Sequence, residues 1–392
     1  MMNNTWRFRF SIVALPWAFA TGFALLIGLF RNINLLLLLG YLLLAIPVLN
    51  VLTAALPLRG LRARRRIAGP VYAGIPFAVD IRVAPANGRA RLGVCVEDAG
   101  PAHRLSWFVG RLERDAPPLR GRVVLPRGRY LWGPVLASSG YPFGLAYRRK
   151  ELAPAEEVIV LPRPGRLHRG LFRRLLWSAA SDPDRRRRQP RRHPAAQDQF
   201  HGLRPFRAGD SPRAVHWRTS ARRGEWMVQE FEDLPGDNLL LVFDPALPAD
   251  DGPGVFSRGR LDDFEAAVSL AATIAVEWRG DRGGRLMAVV AGEDPDVLDG
   301  PSGPAHARRV LEMLAVVEPL ASPSASASAA LLARLTGLPS AAVVVVGAGR
   351  GPLADVLHKA LQRPVACLDA AALDELDFYE PPVADHSGKR GA

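Results

Sequence analysis

The chain has 392 residues, of which 48% are hydrophobic, and a formal net charge of +13. That length accommodates two or three domains with real cores. The two cysteines, Cys95 and Cys367, lie far apart, and no CxxC or Cys/His ligand spacing exists, which excludes a structural zinc site and fits a reducing compartment. Lys150, Lys359 and Lys389 are the only lysines, so the positive charge is almost all arginine. Arginine suits recognition of carboxylates and phosphates, and an arginine-rich, alanine-rich chain also fits a compositional bias of the source.

Ser11 to Phe30 and Ile33 to Leu58 contain no charged residue. At about 1.5 Å of rise per residue each can cross a hydrocarbon core of roughly 30 Å. The link between them is Arg31-Asn32, which predicts an antiparallel membrane hairpin over residues 1–66 with its basic flank. Arg7 and Arg9 precede the first span, and Arg59, Arg62, Arg64, Arg65 and Arg66 follow the second, while the tight turn carries Arg31 alone. The positive-inside rule then places both termini in the cytoplasm of a bacterial inner membrane protein. A signal peptide is the competing reading, and the second long apolar run behind the first argues against it. The basic stretch after the second span is also placed to touch anionic headgroups.

Residues 67–164 read as β-structure. Segments such as "FAVDIRVAP", "ARLGVCVED" and "EEVIVLP" alternate or run apolar, with turns at Asn87-Gly88 and Arg127-Gly128, which predicts five to seven short strands in a small β-sandwich. In "GYPFGLAYRRK" Phe143 and Leu145 are expected in the core. Residues 165–199 are assigned as a basic linker, because Ser178 to Gln199 is almost without apolar residues and has six arginines from Arg185 to Arg192. From Asn238 strands and helices alternate: "NLLLVFD", Leu261 to Trp278, "RLMAVVAG", His306 to Val317, "AAVVVVG", "PLADVLHKAL" and "PVACLD". That order predicts a parallel sheet with helices on both faces. Residues 200–378 form this α/β domain with its leading segment, and 379–392 are expected to be a disordered tail.

The leading segment, "GLRPFRAGDSPRAVHWRTSARRGEWMVQEFE", is dense in chemistry, with six arginines, one histidine and two tryptophans. Ser211 and Pro212 suit a helix start and Gly224 its end, after Arg222 or Arg223, with "EWMVQEFE" following as a strand. Asp210 stands between Arg207 and Arg213, as in an ion-pair clasp. The functional alternative is an anion or acidic-partner site built from Arg204, Arg207, Arg213, Arg218 and Arg222. A catalytic reading would use His216 with Ser211 or Ser220, but no G-x-S-x-G elbow is present.

These residues carry a resemblance. Gly202, Leu203, Arg204, Phe206, Gly209, Asp210, Arg213, Val215, Trp217, Ser220, Ala221 and Arg222, then Met227, Val228, Glu230, Phe231 and Glu232, resemble the signature of the bacterial domain-of-unknown-function 58 family. The two apolar spans and a "P-F-G-L" turn at Pro142 to Leu145 fit the same family. The resemblance implies a von Willebrand factor A-like doubly wound α/β domain. It also implies a genetic association with MoxR-type AAA+ ATPases and transglutaminase-like membrane proteins. It brings no family-wide activity.

A metal-binding domain of that kind has D-x-S-x-S after its first strand, where a carboxylate and two hydroxyls ligate Mg²⁺. Here Asp244 is followed by Ala246 and Pro248 at the hydroxyl positions, so Asp244 is expected to be a vestigial metal position, with no metal and no cofactor. "VVVVGAGRGPLAD" fails as a dinucleotide fingerprint at Pro352 and reads as a strand-to-helix turn.

Together these readings describe a helical membrane hairpin plus α+β architecture: a small β-sandwich, then the α/β domain. The expected function is a non-enzymatic interaction or scaffold protein working with a MoxR-type ATPase or a transglutaminase-like membrane protein in an assembly or chaperone-like system. The site residues would be Arg204, Arg207, Asp210, Arg213, His216, Trp217, Ser220, Arg222 and Glu230. The alternatives are a hydrolase-like enzyme using the His216 region, and a basic nucleic-acid or anionic-lipid binder using Arg185 to Arg192.

Overall fold

The computed structural model describes residues 7–180, 200–205, 217–231, 238–247, 256–278, 284–321, 330–334, 341–349 and 351–382. The chain forms two compact units, one up to Pro162 and one from Arg163.

The first unit opens with β1 (Arg7–Phe10) and two apolar helices, α1 (Ala14–Arg31) and α2 (Asn34–Thr53). Both are long and apolar enough to cross a membrane. The reversal is as short as the sequence predicts: Asn32 takes the left-handed conformation with φ 51° and α2 begins two residues later. Two glycines let the helices approach. A Cβ at Gly40 would lie 2.5 Å from Leu25 Cδ2, and one at Gly28 would lie 2.9 Å from Leu37 Cγ. The Trp17 indole N–H donates across the pair to the Leu43 carbonyl at 3.0 Å.

The rest of this unit is β-structure. Its strands are β2 (Leu61–Ile67), β3 (Val71–Tyr72), β4 (Phe77–Pro85), β5 (Arg91–Ala99), β6 (Arg104–Leu112), β7 (Leu119–Val123), β8 (Gly128–Trp132), β9 (Val135–Ser139), β10 (Ala146–Ala153) and β11 (Glu156–Leu161). They form three sheets, ordered β1-β10-β9-β5-β6, β2-β4-β7 and β3-β11-β8, around one apolar core that includes Val79, Ile81, Val94, Val96, Trp132 and Val160.

Residues 67–164 hold nine strands, β3 to β11, where five to seven were expected, and β3, of two residues, leaves little mark on the sequence. The arginine-rich β1 and β2 begin ahead of that range. In β2, Arg62, Arg64 and Arg66 face solvent, while Leu61 and Arg65 face inward, so the segment taken for a basic flank is a sheet strand. Arg65 is buried against Asp98 of β5, which also accepts from the Trp132 indole at 3.0 Å, and Arg65 Nη2 donates to the Gly133 carbonyl at 2.6 Å. The Phe143 expectation also needs correction: Leu145 is buried, but Phe143 is 49% exposed.

The second unit begins with β12 (Arg166–Leu167) and α3 (Arg169–Ala180), residues assigned above to the linker. Phe172 and Leu176 lie on one side of α3 and are buried, with the Phe172 ring edge-on to Trp278 and tilted against Phe378. Arginines of the helix add to this docking: Arg169 pairs with Glu277 at 2.7 Å, and the Arg173 guanidinium lies over the Trp278 ring. The arginine run at 185–192 lies outside the described residues. The α/β core comprises β15 (Leu239–Asp244), α5 (Arg258–Glu277), β16 (Arg285–Val290), β17 (Asp296–Pro301), α6 (Pro304–Ala315), β18 (Ala342–Gly347), α7 (Leu353–Leu361) and β19 (Val365–Asp369). It follows β13 (Phe200–Pro205), α4 (Trp217–Arg223) and β14 (Met227–Phe231).

The core sheet has the order β17-β16-β15-β18-β19. β15, β16, β18 and β19 are parallel, as the alternation predicts, but β17 is an antiparallel edge strand that the polar run "DVLDGP" conceals. Helices cover both faces. Leu240 and Val242 pack with Leu353 and Leu357 of α7, while Phe243 points the other way, onto Phe264 of α5. The segment expected to fray holds β20 (Tyr379–Glu380), antiparallel to β12, and Tyr379 is buried beside the Ser269 hydroxyl at 3.1 Å.

Asp98→Ala leaves the Arg65 guanidinium buried without its counter-charge. Removing one partner of a buried pair costs about 3–5 kcal/mol. Denaturant unfolding of the purified protein should show that loss, and Arg65→Met with Asp98→Leu should restore part of it. A loss of under about 1 kcal/mol in the single variant, the size of an exposed pair, would count against a desolvated interaction.

Candidate functional site

The densest chemistry in the sequence folds as a two-stranded ribbon with a short helix. β13 and β14 pair antiparallel, with Arg204 opposite Val228 and Glu230 opposite Gly202. β13 escapes sequence reading because Gly202 and Pro205 interrupt it. α4 runs over Trp217–Arg223, and the expected start at Ser211 and Pro212 lies outside the described residues. It closes as predicted at Gly224, which has φ 71° and donates its N–H to the Ser220 carbonyl at 2.9 Å.

Ser220 joins α4 to β14. It is buried, and its hydroxyl oxygen accepts the Met227 N–H at 2.9 Å. The hydroxyl in turn donates to the Met227 carbonyl at 3.4 Å, and Met227 is itself buried, so hydrogen bonds from one side chain and an apolar anchor hold the helix against the strand. That use of the hydroxyl is structural. It satisfies a backbone donor that would otherwise be buried unpaired.

The same arrangement leaves two large aromatics outside. Trp217 at the start of α4 is 62% exposed and Trp226 just before β14 is 59% exposed. Their rings meet edge to face, with centroids 6.3 Å apart and planes at 69°. Arg218, Arg222 and Arg223 of α4 are all exposed near them in sequence. The rings therefore keep more than half their surface exposed, on a segment that also exposes three arginines. Surfaces that bind partners combine rigid aromatics and arginines in this way.

Of the site residues expected above, Trp217, Ser220 and Arg222 lie on α4, and Arg204 and Glu230 have their backbone on the ribbon. Arg207, Asp210, Arg213 and His216 lie outside the described residues, as does the Asp210 clasp. The sequence reading placed Trp217 among the site residues but did not bring it together with Trp226. Arg223 was passed over as a helix end. The available signal was the Gly224 stop, which turns the chain back so that Trp226 returns beside Trp217.

Asp244 ends the central strand β15 and is buried. Burial raises its carboxyl pKa above the ordinary value, and the Ala246 N–H, 3.0 Å from Oδ1, pulls the other way. The loop after β18 packs against it: a Cβ at Gly351 would lie 2.8 Å from Asp244 Oδ2. These surroundings do not fit a divalent cation. Position 246 is alanine, the facing loop presents glycine, and no group of three His, Cys, Asp or Glu side chains converges among the described residues. "GAGRGP" is a turn into α7, and its glycines make room for a carboxylate.

Residues 202–370 match the model of a family described as "Protein of unknown function DUF58". A curated relative, the "Uncharacterized protein YeaD" of Bacillus subtilis (strain 168), is 30% identical over 114 residues, covering 29% of this chain and 25% of that protein. The chain thus matches about a quarter of that relative's length, and neither comparison indicates an enzymatic family.

Two measurements check this geometry. Ser220→Ala should cost about 1–3 kcal/mol by orphaning the buried Met227 N–H, read as an earlier thermal transition. At Asp244 the sign runs through the raised pKa: the folded state disfavours the anion, so this cost is complete above the folded pKa and vanishes below the unfolded value of about 4. Asp244→Asn should therefore raise the melting temperature at pH 7, and the gain should shrink on acidification. A gain that is constant with pH would show that charge is not the cause.

Proposed function

This chain belongs to the DUF58 family through residues 202–370, and from that premise we propose that it is a membrane-anchored interaction protein whose docking surface is the Trp217–Trp226 pair with its arginines. The observation that carries this reading is the exposure of both indoles. An isolated tryptophan on a surface is ordinary, but here two pack edge to face, and the helix that carries the first also exposes Arg218, Arg222 and Arg223. Its chemistry fits a partner segment bearing carboxylates, which guanidinium groups bind in bidentate fashion, next to an apolar residue that covers the rings.

The anchor is the α1–α2 hairpin, with both ends on the cytoplasmic side. The arginine distribution supports that orientation. So does the pairing of β1, which precedes α1, with β10 of the sheet structure that follows α2. The α/β half is of the von Willebrand factor A-like kind, a reading supported by its mixed sheet with helices on both faces, and it would bind without a bridging metal. The family resemblance makes a MoxR-type AAA+ ATPase or a transglutaminase-like membrane protein the expected partner, in an assembly or chaperone-like process. Ser220 argues against the hydrolase alternative, since its hydroxyl is occupied by a backbone amide.

Crosslinking in native membranes, with partners identified by mass spectrometry, tests this. Trp217→Ala or Arg222→Ala should deplete the partner while leaving the melting temperature unchanged, because both side chains are exposed. A central aromatic anchor is worth about 2 kcal/mol or more, on the order of thirtyfold in affinity. Undiminished capture by both variants would overturn the assignment of the surface.

A further inference from the structure

The last turn of α2 is bolted to a β-turn far away in sequence. Asn50 is fully buried. Its side-chain amide donates to the Gly140 carbonyl at 2.8 Å, and its Oδ1 accepts from the Leu145 N–H at 3.0 Å and the Ala146 N–H at 2.7 Å. The entry to α1 is tied to the same place, because the Ser11 N–H donates to the Leu145 carbonyl at 2.9 Å. The turn from Gly140 to Leu145 therefore sits level with the ends of both apolar helices.

The turn directs apolar surface outward at that level. Tyr141 is 43% exposed and Phe143 49%, and Phe10, at the end of β1, is 71% exposed. Tyr141 is held in place: a Cβ at Gly93 would lie 3.1 Å from Tyr141 Cβ, so the absence of a side chain there seats the ring. Aromatic residues at the ends of membrane-crossing helices are most stable in the headgroup layer, where ring and polar edge meet matching surroundings. Arg9, exposed beside Phe10, suits the same layer, where a basic side chain can meet lipid phosphates.

We propose that Tyr141, Phe143 and Phe10 form an aromatic anchor inserted in the interfacial layer of the bilayer, with Asn50 as the residue that positions it. The occupant of this apolar corner is lipid, because the corner is continuous with the lipid-facing surface of the helices. The anchor holds the β-structure of the first unit against the membrane surface. It rests on the reading of α1 and α2 as membrane spans, and the experiment separates the two.

The full chain carrying Cys95→Ser and Cys367→Ser receives one new cysteine at a time, labelled with an environment-sensitive fluorophore. It is reconstituted in phosphatidylcholine–phosphatidylglycerol vesicles containing nitroxide lipids with a shallow or a deep spin label. Labels at Phe143→Cys and Phe10→Cys should lose emission mainly to the shallow nitroxide. A label at Leu26→Cys in α1 should lose it mainly to the deep one, and a label at the exposed Phe108→Cys of β6 to neither. If Leu26 is quenched while the labels at Phe143 and Phe10 report water, the anchor is overturned and the spans stand. Labels there that are dry yet unquenched, as beneath a protein partner, overturn it equally. An unquenched label at Leu26 removes the spans and the anchor together.

Discussion

A charge pair shielded from water sets the geometry of the first unit. Arg65 comes from the sheet of β2, Asp98 from the sheet of β5, and Trp132, which donates to the second carboxylate oxygen, from the sheet of β8. The guanidinium also lies over the Trp132 ring, 5.6 Å from its centroid. Taking both charges out of water offsets most of their attraction, so the net stability comes from the surrounding apolar core. What the pair supplies is placement: three sheets must meet at one point for the carboxylate, the guanidinium and the indole to satisfy each other.

The same device recurs wherever a segment without a strong apolar face must be located. Asn50 satisfies three backbone groups of the Gly140 to Ala146 stretch. In the second unit, Thr273 accepts from the Gly165 N–H at 2.7 Å and Ser269 donates to the Arg163 carbonyl at 2.7 Å, which fixes the chain ahead of β12. Ser220 does this for β14. A buried polar side chain matched to backbone groups is costly to misplace, so each such residue selects one arrangement of its segment.

Against that background the Trp217–Trp226 pair is the exception. The ribbon and α4 have an apolar anchor at Met227 and a polar one at Ser220, and neither requires the indoles to be outside. Both remain more than half exposed while they pack edge to face on each other. Asp244 presents the opposite case. Its position at the end of the central parallel strand is one that often carries chemistry. Here glycines and a backbone amide lie against it, so its burial costs stability at neutral pH.

Local signals alone were enough for the two apolar helices and their tight turn, the parallel strands of the second unit, the Gly224 stop and the strand that follows it. Each depends on neighbours in sequence. The tertiary structure decided which charges are interior. Arg65 sits in a row of arginines with nothing local to distinguish it, and only Asp98 and Trp132, brought from other strands, make its burial possible. The same holds for Asn50 and for the edge strands β1 and β13. Their partners lie elsewhere in the chain, and hydrogen bonding between distant backbones leaves no periodic mark on sequences this polar or this short.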